Sequence, residues 1–164
     1  MPIIASDIQY RLSGGASNSD PLLSIGGIKS STASGAGIFD DVSSAEALAG
    51  DTEYRCIYIH NAHATLTYTA ARIWVQTNTP SADTTVALAL GNAAVNATET
   101  AVANENTAPS GPTFSAPTDY AGGIAIGDIP AGQHRAVWER RTVTAGAAVY
   151  ADSFTLRVQG DTLP

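Results

Sequence analysis

The sequence predicts an all-β protein: an antiparallel β-sandwich of the jelly-roll kind, with an extended N-terminal arm and at most one short helical turn. Three observations carry this. Apolar residues recur with period two in short segments, while helical periodicity is nearly absent. Gly, Pro and Asn punctuate those segments. No helix of crossover length separates the candidate strands, which argues against a parallel sheet.

Taken in order, Asp7 to Ser13 alternates Ile8, Tyr10 and Leu12 against Gln9 and Arg11. Ser43 and Glu46 have capping-box spacing and Gly50 is a stop, so a turn or two of helix fits there. Tyr54 to His60 sets Ile57 and Ile59 on one face and Tyr54, Cys56, Tyr58 and His60 on the other. Ala70 to Thr77 places Ala71, Ile73 and Val75 opposite Trp74. Thr85 to Leu90 has Val86, Leu88 and Leu90 on one face and only Ala on the other. Gly122 to Ile126 makes a short strand. Gln133 to Val143 groups Val137 and Val143 with Arg135, Glu139 and Arg141, opposite Trp138, and the charged members are expected to face outward. Asp152 to Gln159 places Phe154, Leu156 and Val158 on one face.

The large apolar residues are scarce. Ala, Thr, Ser and Gly make up 76 of the 164 residues, whereas Leu, Ile, Val and Phe make up 33. A net charge of −7 is too small for the usual composition of a disordered chain. A single domain with a thin core is expected, covering residues 38–164, after an arm at 1–37 that contributes one strand. Within the arm, residues 13–37 are rich in Gly and Ser, with Leu22, Leu23, Ile25 and Ile28 as anchors. Ordering such a segment in isolation is costly, so it is expected to be mobile or to lie against a neighbouring subunit.

Several function classes are disfavoured. Lys and Arg number 8 against 15 Asp and Glu, which argues against binding nucleic acid or anionic membrane through bulk charge. No apolar run approaches a membrane span, and the first ten residues lack a signal-peptide pattern. Cys56 is the sole cysteine, so neither an internal disulfide nor a Cys-based zinc site is expected.

Each chemistry-bearing group has a plain reading beside it. His60 and His63 have metal-like spacing but lack a third ligand nearby, and read as a strand end entering a turn. Asp40, Asp41, Asp51 and Glu53 could hold Ca²⁺, but the EF-hand pattern is absent and solvated turn acids are the plain reading. Cys56 reads as a small buried thiol. Trp74, Trp138, Tyr58 and Tyr68 could form a sugar platform, or the two Trp could fill a core short of bulk. No nucleophile elbow or phosphate loop occurs. Arg140 and Arg141 are equally a subunit contact or an exposed neutral pair. No catalytic, metal or cofactor residue is assigned, and no enzyme activity is expected.

Longer stretches resemble a known family. DIQYRLSGGASNSDPLLSIGGIKSS, IFDDVSSAEALAGDTEYRCIYIHN, WVQTNTPSADTTVALALG and IGDIPAGQHRAVWERRTVTAGAAVYADSFTLRVQGDT are similar to small virion structural proteins of tailed bacteriophages. The likeness runs from about Asp7 to Asp161. It implies a β-rich, self-assembling virion component, made in the host cytoplasm without a signal peptide. The expected role is a capsid decoration (cement) protein, a dimer or trimer bound to the major capsid protein or other virion proteins. Its contacts are expected along the arm at Leu12, Leu22, Leu23, Ile25 and Ile28, and at Arg140 and Arg141. The alternative is a tail, baseplate or neck component reading a receptor or glycan through an exposed patch near Trp74 or Tyr68. More remote is a jelly-roll glycan-active enzyme, which needs two carboxylates in a cleft.

Overall fold

The computed structural model describes residues 1–148 and 152–162. Residues 149–151 and the final two of the expected 38–164 domain lie outside the described residues. Seven strands are described: β1 (Ile8–Leu12), β2 (Asp51–Asn61), β3 (Tyr68–Thr77), β4 (Thr84–Leu90), β5 (Ile124–Ile129), β6 (His134–Val143) and β7 (Thr155–Thr162). One helix, α1 (Ser44–Ala49), precedes β2. It forms where expected because Ser43 and Glu46 close a reciprocal capping box and Gly50 ends it at φ 78°.

The strands form two antiparallel sheets, ordered β1-β2-β6-β4 and β5-β3-β7. After β2, consecutive strands alternate between the sheets, as in a jelly roll. The period-two stripes meet between the sheets. Leu12, Ile57, Ile59, Ala71, Ile73, Val75, Leu88 and Val137 form the main core, with Phe154, Leu156 and Val158 packed against it.

A second core lies on the outer face of the four-stranded sheet. Cys56, Tyr58, Ala89, Ala136 and Trp138 are all at most 1% exposed there, with Val102 and Phe114 packed over them. The arm and the long segment joining β4 to β5 make this cover. The arm is therefore not an appendage awaiting a neighbour: its residues bond to their own chain. Ser30 N–H donates to the Leu12 carbonyl at 2.8 Å and Ser34 N–H to the Tyr10 carbonyl at 2.8 Å, so the returning arm lines the free edge of β1. Cys56 N–H donates to the Ser24 carbonyl at 2.6 Å, and Tyr54 N–H to the Glu105 carbonyl at 2.7 Å, which occupies β2 beyond the end of β1. Gly27 and Glu99 join arm and loop in a bridge. The Tyr58 hydroxyl is pinned at that seam, donating to the Gly27 carbonyl at 2.6 Å and accepting from Glu99 N–H at 2.8 Å. Further along the loop, Ser115 bridges Leu88 on the β4 edge.

Two expectations about β6 are corrected. Glu139 does not face out with arginine; it is 1% exposed on the inner face. Arg141 is 8% exposed. Both faces of β6 are covered, so alternation along it separates two interiors.

Candidate functional site

The expected contact residues lie mostly on the arm, which hydrogen bonds hold in place. Pro21–Leu23 forms a single 3-10 turn, capped by the Asp20 carboxylate accepting from Leu22 N–H at 3.0 Å. The Asn18 amide donates to the Ser13 carbonyl at 2.6 Å and to the Asp20 carbonyl at 2.9 Å. The Ser13 hydroxyl, fully buried, donates to the Cys56 carbonyl at 2.7 Å and accepts from Gly26 N–H at 3.1 Å. Gly14 is required at its place: its φ is +94°, and a Cβ there would fall 2.3 Å from the Leu23 carbonyl oxygen. Gly15 N–H donates to the Ile28 carbonyl at 3.1 Å. This bonded platform leaves Leu22, Leu23 and Ile28 at 41%, 56% and 55% exposure.

The expected contact residues therefore divide. Leu22, Leu23 and Ile28 are on the surface together with the arm. Ile25 is half-buried, with its carbonyl accepting from Val102 N–H at 2.9 Å. Leu12 is 1% exposed within the main core, which removes it from any contact surface. Arg140 is half-buried, its guanidinium 5.1 Å from the Phe114 ring centroid. Arg141 is spent internally: it pairs with Glu53 and with Asp40, and lies over the Phe39 ring at 5.1 Å.

That last cluster holds two residues of the Ca²⁺ reading, Asp40 and Glu53. Oxygens of Asp40, Glu53 and Glu105 do approach within 4.8 Å of one another. Arg55, fully buried, pairs with Glu105 and reaches Asp40 at 4.0 Å, and Arg141 takes Glu53. Two arginines thus pair with these three acids in an ion-pair network, while a second group, Glu46, Asp51 and Glu53, also brings its oxygens within 4.8 Å of one another and meets an arginine only at Glu53. Burial pushes the Glu53 carboxyl up to about 7, against the opposing pull of Arg141.

The histidines part company. His63 Nδ1 accepts from Thr65 N–H at 3.2 Å and Leu66 N–H at 3.0 Å, which makes it a turn cap. His60 faces His134 across β2 and β6 instead. Burial lowers His60, and burial with the nearby Lys29 and His60 lowers His134 to about 4, so His134 is neutral at pH 7. Cys56 is a free, fully buried thiol whose pKa burial raises.

The aromatic residues serve the interior. Trp138 fills the second core. Trp74 is 5% exposed, with Tyr120 edge-on at 6.1 Å and Arg157 over its ring at 5.8 Å. Tyr68 is 6% exposed, and burial raises its hydroxyl to about 12. No helix among the described residues is long and apolar enough to cross a membrane.

No family model, no curated protein and no solved structure matches the chain.

Proposed function

We propose that the protein is a non-enzymatic structural subunit of a tailed-bacteriophage virion, a decoration protein that binds and stabilises the assembled head shell. One observation carries the contact surface: Leu22, Leu23 and Ile28 stand exposed on a segment bonded to its own sheet. Because the segment is already ordered, docking costs little conformational entropy. The partners in this reading are the major capsid protein or another virion protein, and a second or third copy of this chain. Neither nucleic acid nor membrane is a partner, consistent with the net charge of −7. The location is the virion. Stabilisation follows from mass action, because a subunit that binds only the closed shell draws the equilibrium toward it.

The tail or neck reading calls for an exposed aromatic patch near Trp74 or Tyr68, and both are buried. A glycan-active enzyme calls for two available carboxylates in one cleft. Of the four that line the cavity, Asp40 is paired with Arg141 and Asp152 accepts from Thr84 and Ser81, which leaves only the buried Glu139 and the exposed Asp41 for such a role.

The test is a binding assay on shells lacking the protein, with a variant carrying Leu22→Asp, Leu23→Asp and Ile28→Asp together. The variant is expected to melt as wild type yet lose shell binding and the added resistance to heat and osmotic shock. Equal binding by the variant removes the arm as the contact. Absence of the wild-type protein from a reconstruction of the particle removes the whole reading.

A further inference from the structure

A cavity of about 750 Å³ opens between the two sheets, beside the ion-pair network. Ile57, Val86, Phe39, Phe154 and Leu156 give it apolar walls. The rings of Phe39 and Phe154 meet at 6.1 Å, tilted by 60°. Glu139 stands in this wall, 1% exposed, and its Oε2 has no hydrogen-bond partner among the described residues. An orphaned carboxylate oxygen in an apolar wall is costly and rare, and it calls for a donor.

The protein's own cations do not supply that donor. Arg55 is directly opposite Glu139 in the β2–β6 register. Three of its five N–H groups donate elsewhere, from Nε to the Ile38 carbonyl at 3.1 Å, from one terminal nitrogen to the Tyr54 carbonyl at 3.3 Å and from the other to Glu105, and none donates to Glu139 Oε2. Arg141 is held by Glu53 and Asp40. The remaining charged groups that line the cavity are Asp40, Asp41 and Asp152, and no lysine is among them. A cation with an apolar body therefore fits better than an anion, which these acids repel, or a sugar, which the apolar walls leave unbonded.

The geometry points to a binding site for an organic ammonium ion, its head donating to Glu139 and its body lying against Phe39 and Phe154. The site stands independently of the shell-binding reading. Two sources share this chemistry, a free amine and a lysine side chain of a bound protein.

A pH signature follows. Burial raises the Glu139 carboxyl to about 8, with Arg55 pulling it down. The groups that face it are Arg55 on β2, Tyr10 on β1, Arg141 on its own strand, and Asp40, Asp41 and Asp152 on the segments lining the same cavity. At pH 6 the site holds the neutral acid, and a bound ammonium requires the carboxylate. Affinity should rise about tenfold between pH 6 and 7 and level off above about pH 8, while the amine stays protonated to about pH 10.

The experiment is calorimetric titration of the full chain with phenethylammonium chloride at pH 6, 7, 8 and 9, repeated with Nα-acetyl-lysine methylamide. Saturable one-to-one binding with that pH profile is expected, together with loss of the profile and at least about tenfold weaker binding in Glu139→Gln. Binding of phenethylammonium alone supports the site with a free amine as ligand; binding of both supports it with a partner's lysine as the source. No saturation by either probe at pH 9, or unchanged binding in Glu139→Gln, overturns the proposal. Should that variant not fold, a flat wild-type profile between pH 6 and 8 overturns it as well.

Discussion

Strands β2 and β7 are both antiparallel and lie in the same sandwich, yet they are buried in opposite styles. Cys56, Ile57, Tyr58 and Ile59 on β2 are each at most 1% exposed, although alternate residues point to opposite faces. Along β7, exposed and half-buried residues alternate without a break. The difference lies in what covers the outer faces. The four-stranded sheet carries the arm and the β4–β5 segment over it, and these also occupy the free backbone of β1, β2 and β4. The three-stranded sheet has local cover at Trp74, from Tyr120 and Arg157. A chain poor in large apolar residues thus gains a second core by folding small, polar segments over one sheet. The same bonds freeze the arm that offers Leu22, Leu23 and Ile28 to a partner.

The largest test of this contrast is truncation in each place. Trp138→Ala empties the second core and should cost about 4 kcal/mol, read as a shift in the urea midpoint. Val158→Ala on β7 removes a half-buried side chain and should cost about 1 kcal/mol. Equal losses would mean that the outer cover adds no real core.

The next test uses the buried acids of the four-stranded sheet. Glu53 and Glu139 are raised by burial to about 7 and about 8. A carboxyl whose folded pKa exceeds its unfolded value stabilises the fold at low pH, and that contribution is lost as pH rises through the folded value. His134, lowered to about 4, works the other way: its contribution is present above its unfolded value near 6.5 and is lost as pH falls toward 4. His60, lowered by burial as well, acts in the same sense as His134. Both imidazole gains are complete near the unfolded value of about 6.5, whereas the carboxyl losses run up to about 7 and about 8, so the melting temperature should fall from pH 5 to pH 8. Glu139→Gln should flatten that fall, measured by scanning calorimetry. A wild-type melting temperature that rises over this range would break the assignment of both carboxyls to the interior.

Much of this asymmetry was hidden in the sequence for a physical reason. Period-two stripes locate strands and divide their faces, so all seven strands, the Ser43–Glu46 box and the inward set Ile57, Ile73, Leu88 and Leu156 were legible. Alternation does not say whether a face meets water or protein. On β6, Glu139 and Arg141 share a face with Val137, and their charge made that face read as the solvent side. The groups that neutralise Arg141, Asp40 and Glu53, come from distant segments that no spacing rule connects to β6, and Glu139 is buried without such a partner among the described residues. The 13–37 segment looked unable to order itself for the same reason: its partners, Cys56, Tyr58 and Glu99, lie far along the chain. The Leu22, Leu23 and Ile28 surface was visible as sparse anchors, while Leu12 differed by being the last residue of a strand, β1, on its core-facing stripe.

The smallest test sets one glycine of the covering arm against one of the three-stranded sheet. Gly26 sits at φ +100°, and a Cβ there would lie 2.6 Å from the Thr100 carbonyl oxygen and 2.7 Å from the Ala101 Cα. Those are backbone atoms that side-chain rotation cannot move aside, so Gly26→Ala combines left-handed strain with a forced opening of the arm–loop seam. About 2–3 kcal/mol is expected. Gly127 on β5 has φ +81°, and a Cβ there meets nothing within 4 Å. Gly127→Ala therefore carries the conformational strain alone, about 1–2 kcal/mol. The two variants also differ in where the loss appears. Hydrogen exchange should speed up at Cys56 N–H and Val102 N–H in Gly26→Ala, because these amides donate to the arm carbonyls of Ser24 and Ile25. In Gly127→Ala those amides should keep their wild-type protection relative to global unfolding. If both variants lose the same stability and leave Cys56 and Val102 equally protected, the arm is a passive covering rather than part of the cooperative core.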